Sequence, residues 1–431
     1  MPEQEKLFEQ FPPVSTDEWM DKINSDLKGA DFNTKLVWKT HEGFEVKPFY
    51  TREDTEGLPY ISVLPGEYPY LRGNRKNGNS WLIRQNIDVV DYALSNKKAL
   101  DILMKGVDSI GFVINDPESI NEKNIETLLK GIHLESVEIN FHSNGKAKEI
   151  LEYFIKVVNN EGSDITKICG AIEADPLSRL MINGILCIPV ESGMDYLASL
   201  TKEALFLPNF RTIRVNTSNF TNSGSDIVTE LAFGLSMANE YISQLTERGI
   251  PSDLAASKIC FSFGTGSNYF FEIAKLRAAR LLWSTVVSAW KPEKEESSVM
   301  KIHCVTSRWN KTKNDPHVNL LRTQTEAMSA VLGGTDSLTV DPFDMVFGQP
   351  DEFSERIARN QQLLLKEEAY FDKTADPAGG SWYIEKLTDM IAVNSWNLFV
   401  RIDDQGGFLS CLKSGFIIKE LSESAGRLKR G

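Results

Sequence analysis

The sequence has few of the residues that most often carry chemistry. Its five histidines are scattered over 431 residues, and none stands at a metal-ligand spacing from another histidine or a cysteine. HExxH is absent, as is a DxHxxG string of the kind that supplies a cobalt ligand, so no protein-built metal site is expected. The five cysteines, Cys169, Cys187, Cys260, Cys304 and Cys411, form no CxxC pair. Odd in number and mostly set in apolar runs, they read as reduced, buried thiols of a cytoplasmic protein. No GxSxG elbow occurs, which leaves nucleophilic hydrolysis without support. No apolar run reaches the roughly 20 residues that span a bilayer. Basic residues are in deficit, 47 Lys and Arg against 60 Asp and Glu, for a formal charge of −13. That balance argues against nucleic acid or an anionic membrane as partner. The opening segment MPEQEKLFEQFPP is polar and acidic, unlike a signal peptide.

What is present is ordinary globular composition, 41% apolar and 25% charged. Ser15 to Glu18 can cap a helix, and Trp19, Ile23 and Leu27 recur at helical spacing until Gly29. Leu36–Trp38 and Phe44–Val46 flank a Glu42-Gly43 turn signal and predict a hairpin. From Trp81 onward short β-rich runs alternate with helical patterns. The predicted strands are 81–85, 109–114, 136–141, 167–172, 212–215, 258–263, 299–306 and 337–340. Eight such units are the count that closes a (β/α)8 TIM barrel. Alternation also allows an open doubly wound sheet, but no GxGxxG follows the first strand. The expected organisation is an N-terminal arm over 1–80, a barrel over 81–350, and trailing helices over 351–431 that end in a linker from Leu421.

Arg84 and Gln85 close the first predicted strand, where barrel enzymes collect functional groups. Arg84 can hold a carboxylate, phosphate or thioester oxygen, or pair with an acid on a neighbouring strand. Lys301 and His303 share one side of a strand that a barrel buries on both faces. They either reach a ligand at the barrel mouth or satisfy each other's surroundings. Gly264-Thr265-Gly266-Ser267 joins a strand to a helix and could cradle a phosphate, although such turns more often serve geometry alone.

Longer strings carry a resemblance. Trp81 to Gln85 resembles the WTIRQ segment that opens the barrel of methylmalonyl-CoA mutases. Tyr269 to Arg280 is similar to that family's FFxEIAKLRAAR helix, and Glu326 to Thr335 to its EAMAAVLGGT segment. Arg356 to Asn360 and Asp376 to Ser381 also match, in the same order. The resemblance implies a coenzyme A thioester threaded through a (β/α)8 barrel, with adenosylcobalamin on a separate C-terminal domain. The cofactor then carries the radical chemistry, and the protein binds, orients and shields.

The departures point away from catalysis by this chain. A tyrosine follows WTIRQ in catalytic members; here Asn86 stands there. The Tyr-His pair of SGYHMQEAGA is replaced by Ser218 and Asn219. TIQND after the fourth strand is gone, its place taken by Gly170 to Leu177. The resemblance therefore implies a small, non-catalytic barrel that pairs with a large catalytic subunit. Self-association is an option when the chain is alone, and no cobalamin is expected on it by itself. Arg84, Gln85, Lys301 and His303 remain the candidate substrate-binding residues. Two other readings stay open. One is a catalytic acyl-CoA mutase chain that recruits a separate cobalamin subunit. The other is a stand-alone barrel that binds a CoA thioester.

Overall fold

The computed structural model describes Phe11 and residues 14–429. The polar opening segment and the last two residues lie outside that range. Ser15 caps the first helix, Thr16–Asp26: its hydroxyl accepts from Glu18 N at 3.2 Å and its own N–H donates to Glu18 Oε2 at 2.9 Å. That reciprocal pair satisfies two otherwise orphaned donors. Gly29, at φ +88°, ends the segment. The hairpin forms as antiparallel β1 (Trp38–Lys39) and β2 (Glu45–Val46). It lies on its own chain, with Trp38 and Phe44 both against Phe271.

Eight parallel strands follow: β3 (Leu82–Asp88), β4 (Ser109–Ile114), β5 (Glu138–Ser143), β6 (Gly170–Ala174), β7 (Phe210–Asn216), β8 (Ile259–Thr265), β9 (Ile302–Thr306) and β10 (Ser337–Thr339). They close in chain order, with β10 pairing both β9 and β3. Ser337 stands opposite Leu82 on one side and His303 on the other. Closure removes the sheet edges, and helices cover the outer face. Phe261 and Phe263 point outward, Phe261 edge-on to Trp283 of helix Tyr269–Ala289 at 4.9 Å. The opposite parity of β8, Cys260, Ser262 and Gly264, therefore faces the lumen.

Several strands run further than their sequence patterns suggest. β3 extends to Asp88, so Arg84 sits in mid-strand rather than at its end. The helix after β10, Glu352–Leu363, packs on β3 through Gln85, which donates to Glu355 at 3.1 Å and accepts from Arg359 at 3.1 Å. The helical ring around the barrel thus reaches residue 363. Trp382–Asp403 then lies against helices Ile227–Glu247 and Tyr269–Ala289. The segment expected to fray from Leu421 is instead part of helix Phe416–Leu428. Ser424 is buried there and donates to Asp226 Oδ2 at 2.7 Å, and Arg427 reaches Asp226 and the His41 carbonyl. Two polar groups of that helix thus meet a buried partner about 200 residues away in the chain.

Candidate functional site

The lumen is built from the inward parity of the eight strands. Arg84 is nearly fully buried and its Nη1 lies 2.7 Å from Glu173 Oε1 on β6. Arg214 on β7 donates to the other carboxylate oxygen at 2.6 Å and to Ser262 Oγ at 2.7 Å. Arg84 Nε donates to Asn86 Oδ1 at 3.2 Å. Gly111 on β4 makes room for both, because a Cβ there would stand 2.1 Å from Asn86 Oδ1 and 2.8 Å from Arg84 Nη2. Burial alone would raise the Glu173 pKa, but Arg214 and Arg84 override it and hold the carboxyl well below the usual carboxylate range. Three charges thus meet across the bore. The cavity beside them, shared with Glu138, Asn140 and Ser337, is about 20 Å³, room for about one water.

His303 belongs to this layer. Its Nδ1 is 2.8 Å from Ser337 Oγ, and burial with the nearby Arg84 and Arg214 pushes its pKa far down, so the ring is neutral. Lys301 precedes β9 and lies at the N-terminal mouth, opposite the end where barrel enzymes collect functional groups. It lies 3.6 Å from Asp336. Burial would raise the Asp336 pKa, but Lys301 and Arg75 bring it down to about 2. Gln85 is outside the bore altogether, as described above. Arg84, Lys301 and His303 all line the small cavity in the bore, and Gln85 does not. Arg84 and His303 share the closed middle of the lumen, Lys301 guards the lower mouth, and Gln85 anchors a helix.

The Gly264–Ser267 turn already holds anions of its own. Gly264 N donates to Glu230 Oε1 at 3.1 Å and Gly266 N to Glu272 Oε1 at 2.8 Å, with Lys275 Nζ 2.8 Å from Glu230 and 2.6 Å from Glu272. The turn serves geometry, and its N–H groups are spoken for.

At the upper, C-terminal mouth the structure is open. A cavity of about 730 Å³ lies over the ends of β5, β6 and β7. Its lining includes His142, Arg214, Asn216 and Asn219. Ser218 is buried and donates to Asn216 Oδ1 at 2.6 Å. Neither Ser218 nor Asn219 can act as a titrating acid or base near neutral pH. His142 is half-exposed, with Nδ1 3.9 Å from Glu173 Oε2. Burial lowers its pKa, and Arg214 and Arg84 reinforce that against Glu173.

No group of three or more His, Cys, Asp or Glu side chains among the described residues could hold a metal ion. No helix among the described residues is long and apolar enough to cross a membrane.

Sequence reasoning missed Glu173, Arg214 and His142. The signal was a charged residue on strands that a barrel buries on both faces, as in Phe210-Arg211-Thr212-Ile213-Arg214.

With the geometry described, the comparisons are direct. The family model for methylmalonyl-CoA mutase matches residues 39–122 and 118–431. The methylmalonyl-CoA mutase small subunit of Porphyromonas gingivalis is 47% identical over 98% of this chain and 68% of its own length. The methylmalonyl-CoA mutase of Cereibacter sphaeroides is 34% identical over 95% and 61%, and that of Escherichia coli 31% over 95% and 61%. The chain spans between three fifths and about two thirds of the length of these curated relatives.

Proposed function

This chain belongs to the methylmalonyl-CoA mutase family, and we propose that it is the small, non-catalytic subunit of a two-chain, adenosylcobalamin-dependent mutase. The observation that carries the reading is the closed bore. A CoA thioester threaded through the barrel needs a continuous channel, and Arg84, Glu173 and Arg214 occupy it. Displacing them would separate buried charges that hold one another, at about 3–5 kcal/mol. Above the plug, Asn86, Ser218 and Asn219 replace the aromatic and imidazole groups that would shield a radical and bind a thioester carbonyl. Amides and a hydroxyl bind and orient, but they neither relay a proton near neutral pH nor shield a radical as a ring does.

The cofactor of the assembled enzyme supplies the radical chemistry when bound, and its site belongs to the large catalytic subunit rather than to the donors of this chain. The division into arm, barrel and trailing helices fits that role. The arm exposes Trp19, Trp38, Ile61 and Leu64 beside its anchor on Phe271, an apolar face suited to a protein partner. Reduced, unpaired cysteines accord with a cytoplasmic setting. Catalysis by this chain with a recruited cobalamin subunit, and binding of a CoA thioester threaded through the barrel, both require the bore that the plug fills.

Co-expression with a large mutase subunit tests the proposal. The expected result is a stable one-to-one complex whose turnover of methylmalonyl-CoA survives Asn219→Ala in this chain. Failure to associate would overturn the reading, as would turnover by this chain plus an isolated cobalamin domain.

A further inference from the structure

The proposed function leaves the upper cavity without a task. Its 730 Å³ lies within the ~300–1,000 Å³ of small-molecule sites. The plug separates it from the lower bore, so an occupant enters from the C-terminal mouth and has no thread to follow. Its lining is partly apolar and partly cationic. One wall is apolar: Phe141, Ile172, Ile182, Leu186, Ile188 and Leu197. Ile182 and Ile188 are 60% and 48% exposed, an unfavourable state for isoleucines facing a concavity.

A cation stands beside this apolar patch, Arg179 lying one turn before Ile182 on helix Pro176–Asn183. Arg179 donates to the Asn144 carbonyl at 2.9 Å and lies 3.8 Å from Cys187 Sγ, and it pairs with no carboxylate among the described residues. The acids nearby are already engaged. Glu173 is held by two arginines. Asp175 accepts from Tyr241 at 2.6 Å, from Ser178 N at 3.0 Å and from Asn216 N at 3.0 Å. Arg179 therefore has no protein counter-ion, while His142 and Asn219 add uncharged polar atoms to the same lining.

We propose that this cavity binds an amphipathic monocarboxylate, its carboxylate on Arg179 and its aliphatic body against Ile182, Leu186 and Ile188. A guanidinium fork matches a carboxylate in two parallel bonds, and the apolar wall rewards chain length. The same acyl chain could arrive as a free acid or as a CoA thioester. The free acid suits the site, because a thioester carries no charge where Arg179 waits.

Isothermal titration of the full chain with butyrate, hexanoate, octanoate, hexylamine and octanoyl-CoA decides the matter. Saturable one-site binding is expected for hexanoate and octanoate, about fourfold tighter per added methylene. Hexylamine should give no saturable heat. Arg179→Ala should weaken octanoate about tenfold or more, with partial recovery in Arg179→Lys. Ile188→Asp should weaken it comparably from the apolar wall, and matching thermal melts would show these variants folded. Octanoate should also slow alkylation of exposed Cys187, read by mass spectrometry. Absence of saturation, equal binding of hexylamine, or indifference to Arg179→Ala would overturn the proposal. Tighter binding of octanoyl-CoA than octanoate would overturn the free-acid assignment. The readout uses this chain alone, so failure here leaves assembly with a large subunit untouched.

Discussion

Two of the buried ionic clusters that hold this chain together join different things. The outer cluster lies between helices. Arg277 pairs with Asp376 and with Glu385 at 2.7 Å, and Arg72 reaches Asp376 at 2.7 Å. It ties the arm, helix Tyr269–Ala289 and the break before Trp382 into one scaffold. The lumen cluster, Arg84–Glu173–Arg214, ties strands to each other across the bore. The outer residues Arg277 and Asp376 fall in strings that resemble the family. Glu173 and Arg214 fall where those strings break off. Both clusters use the same physical device, a carboxylate shared between two guanidinium groups.

Removing one partner of either cluster strands buried charge, and the outer one should suffer most. Arg277→Ala leaves Glu385 buried without a cation and should cost about 3–5 kcal/mol in urea unfolding. A loss under 1 kcal/mol would deny the cluster its scaffold role.

Glu173→Gln is expected to cost somewhat less, about 2–4 kcal/mol, because the amide oxygen still accepts from one arginine. The pH dependence separates the two effects. The depressed Glu173 carboxyl contributes stability that is complete above its unfolded value near 4.5 and is lost as pH falls below it. The parent chain should thus lose stability in acid more steeply than Glu173→Gln, by up to about 1.4 kcal/mol per pH unit. Parallel curves would mean that Glu173 is not the ionised centre of the plug.

Gly111→Ala probes how tightly the plug fills the bore. The added Cβ meets Asn86 Oδ1, so a loss of about 1–3 kcal/mol is expected. Asn86→Ala in the same chain should restore most of it, and a double-mutant cycle with no coupling would refute the close packing.

The smallest effect belongs to Glu42, half-buried where the hairpin meets Asp226 and Arg427. Burial pushes its carboxyl up to about 7. Its contribution is therefore present at low pH and lost as pH rises through 7. Glu42→Gln should gain about 1 kcal/mol at pH 8 and nothing at pH 4, measured by thermal unfolding.

Much of the fold was legible because it is locally encoded. The Ser15–Glu18 capping box, the hairpin at Glu42-Gly43 and the helix Tyr269–Ala289 all stand where spacing puts them. Strand ends moved because ladder pairing, not side-chain alternation, decides where a strand stops: β3 continues to Asp88 beside Val113 of β4. That shift alone took Arg84 from a strand end to mid-bore. Lys301 shows the same limit, since parity places it on the His303 side without saying which mouth is near.

By itself, the sequence determined the barrel and its eight-unit order. Periodicity and residue identity are properties of short stretches, so they can be read along the chain. Whether the bore is open was decided only in three dimensions. Arg84, Glu173 and Arg214 lie on strands far apart in sequence, and each could have faced solvent, a ligand or another acid. Closing the sheet brings both guanidinium groups within 3 Å of the Glu173 carboxylate, and low polarity inside the bore makes that meeting far stronger than it would be in water.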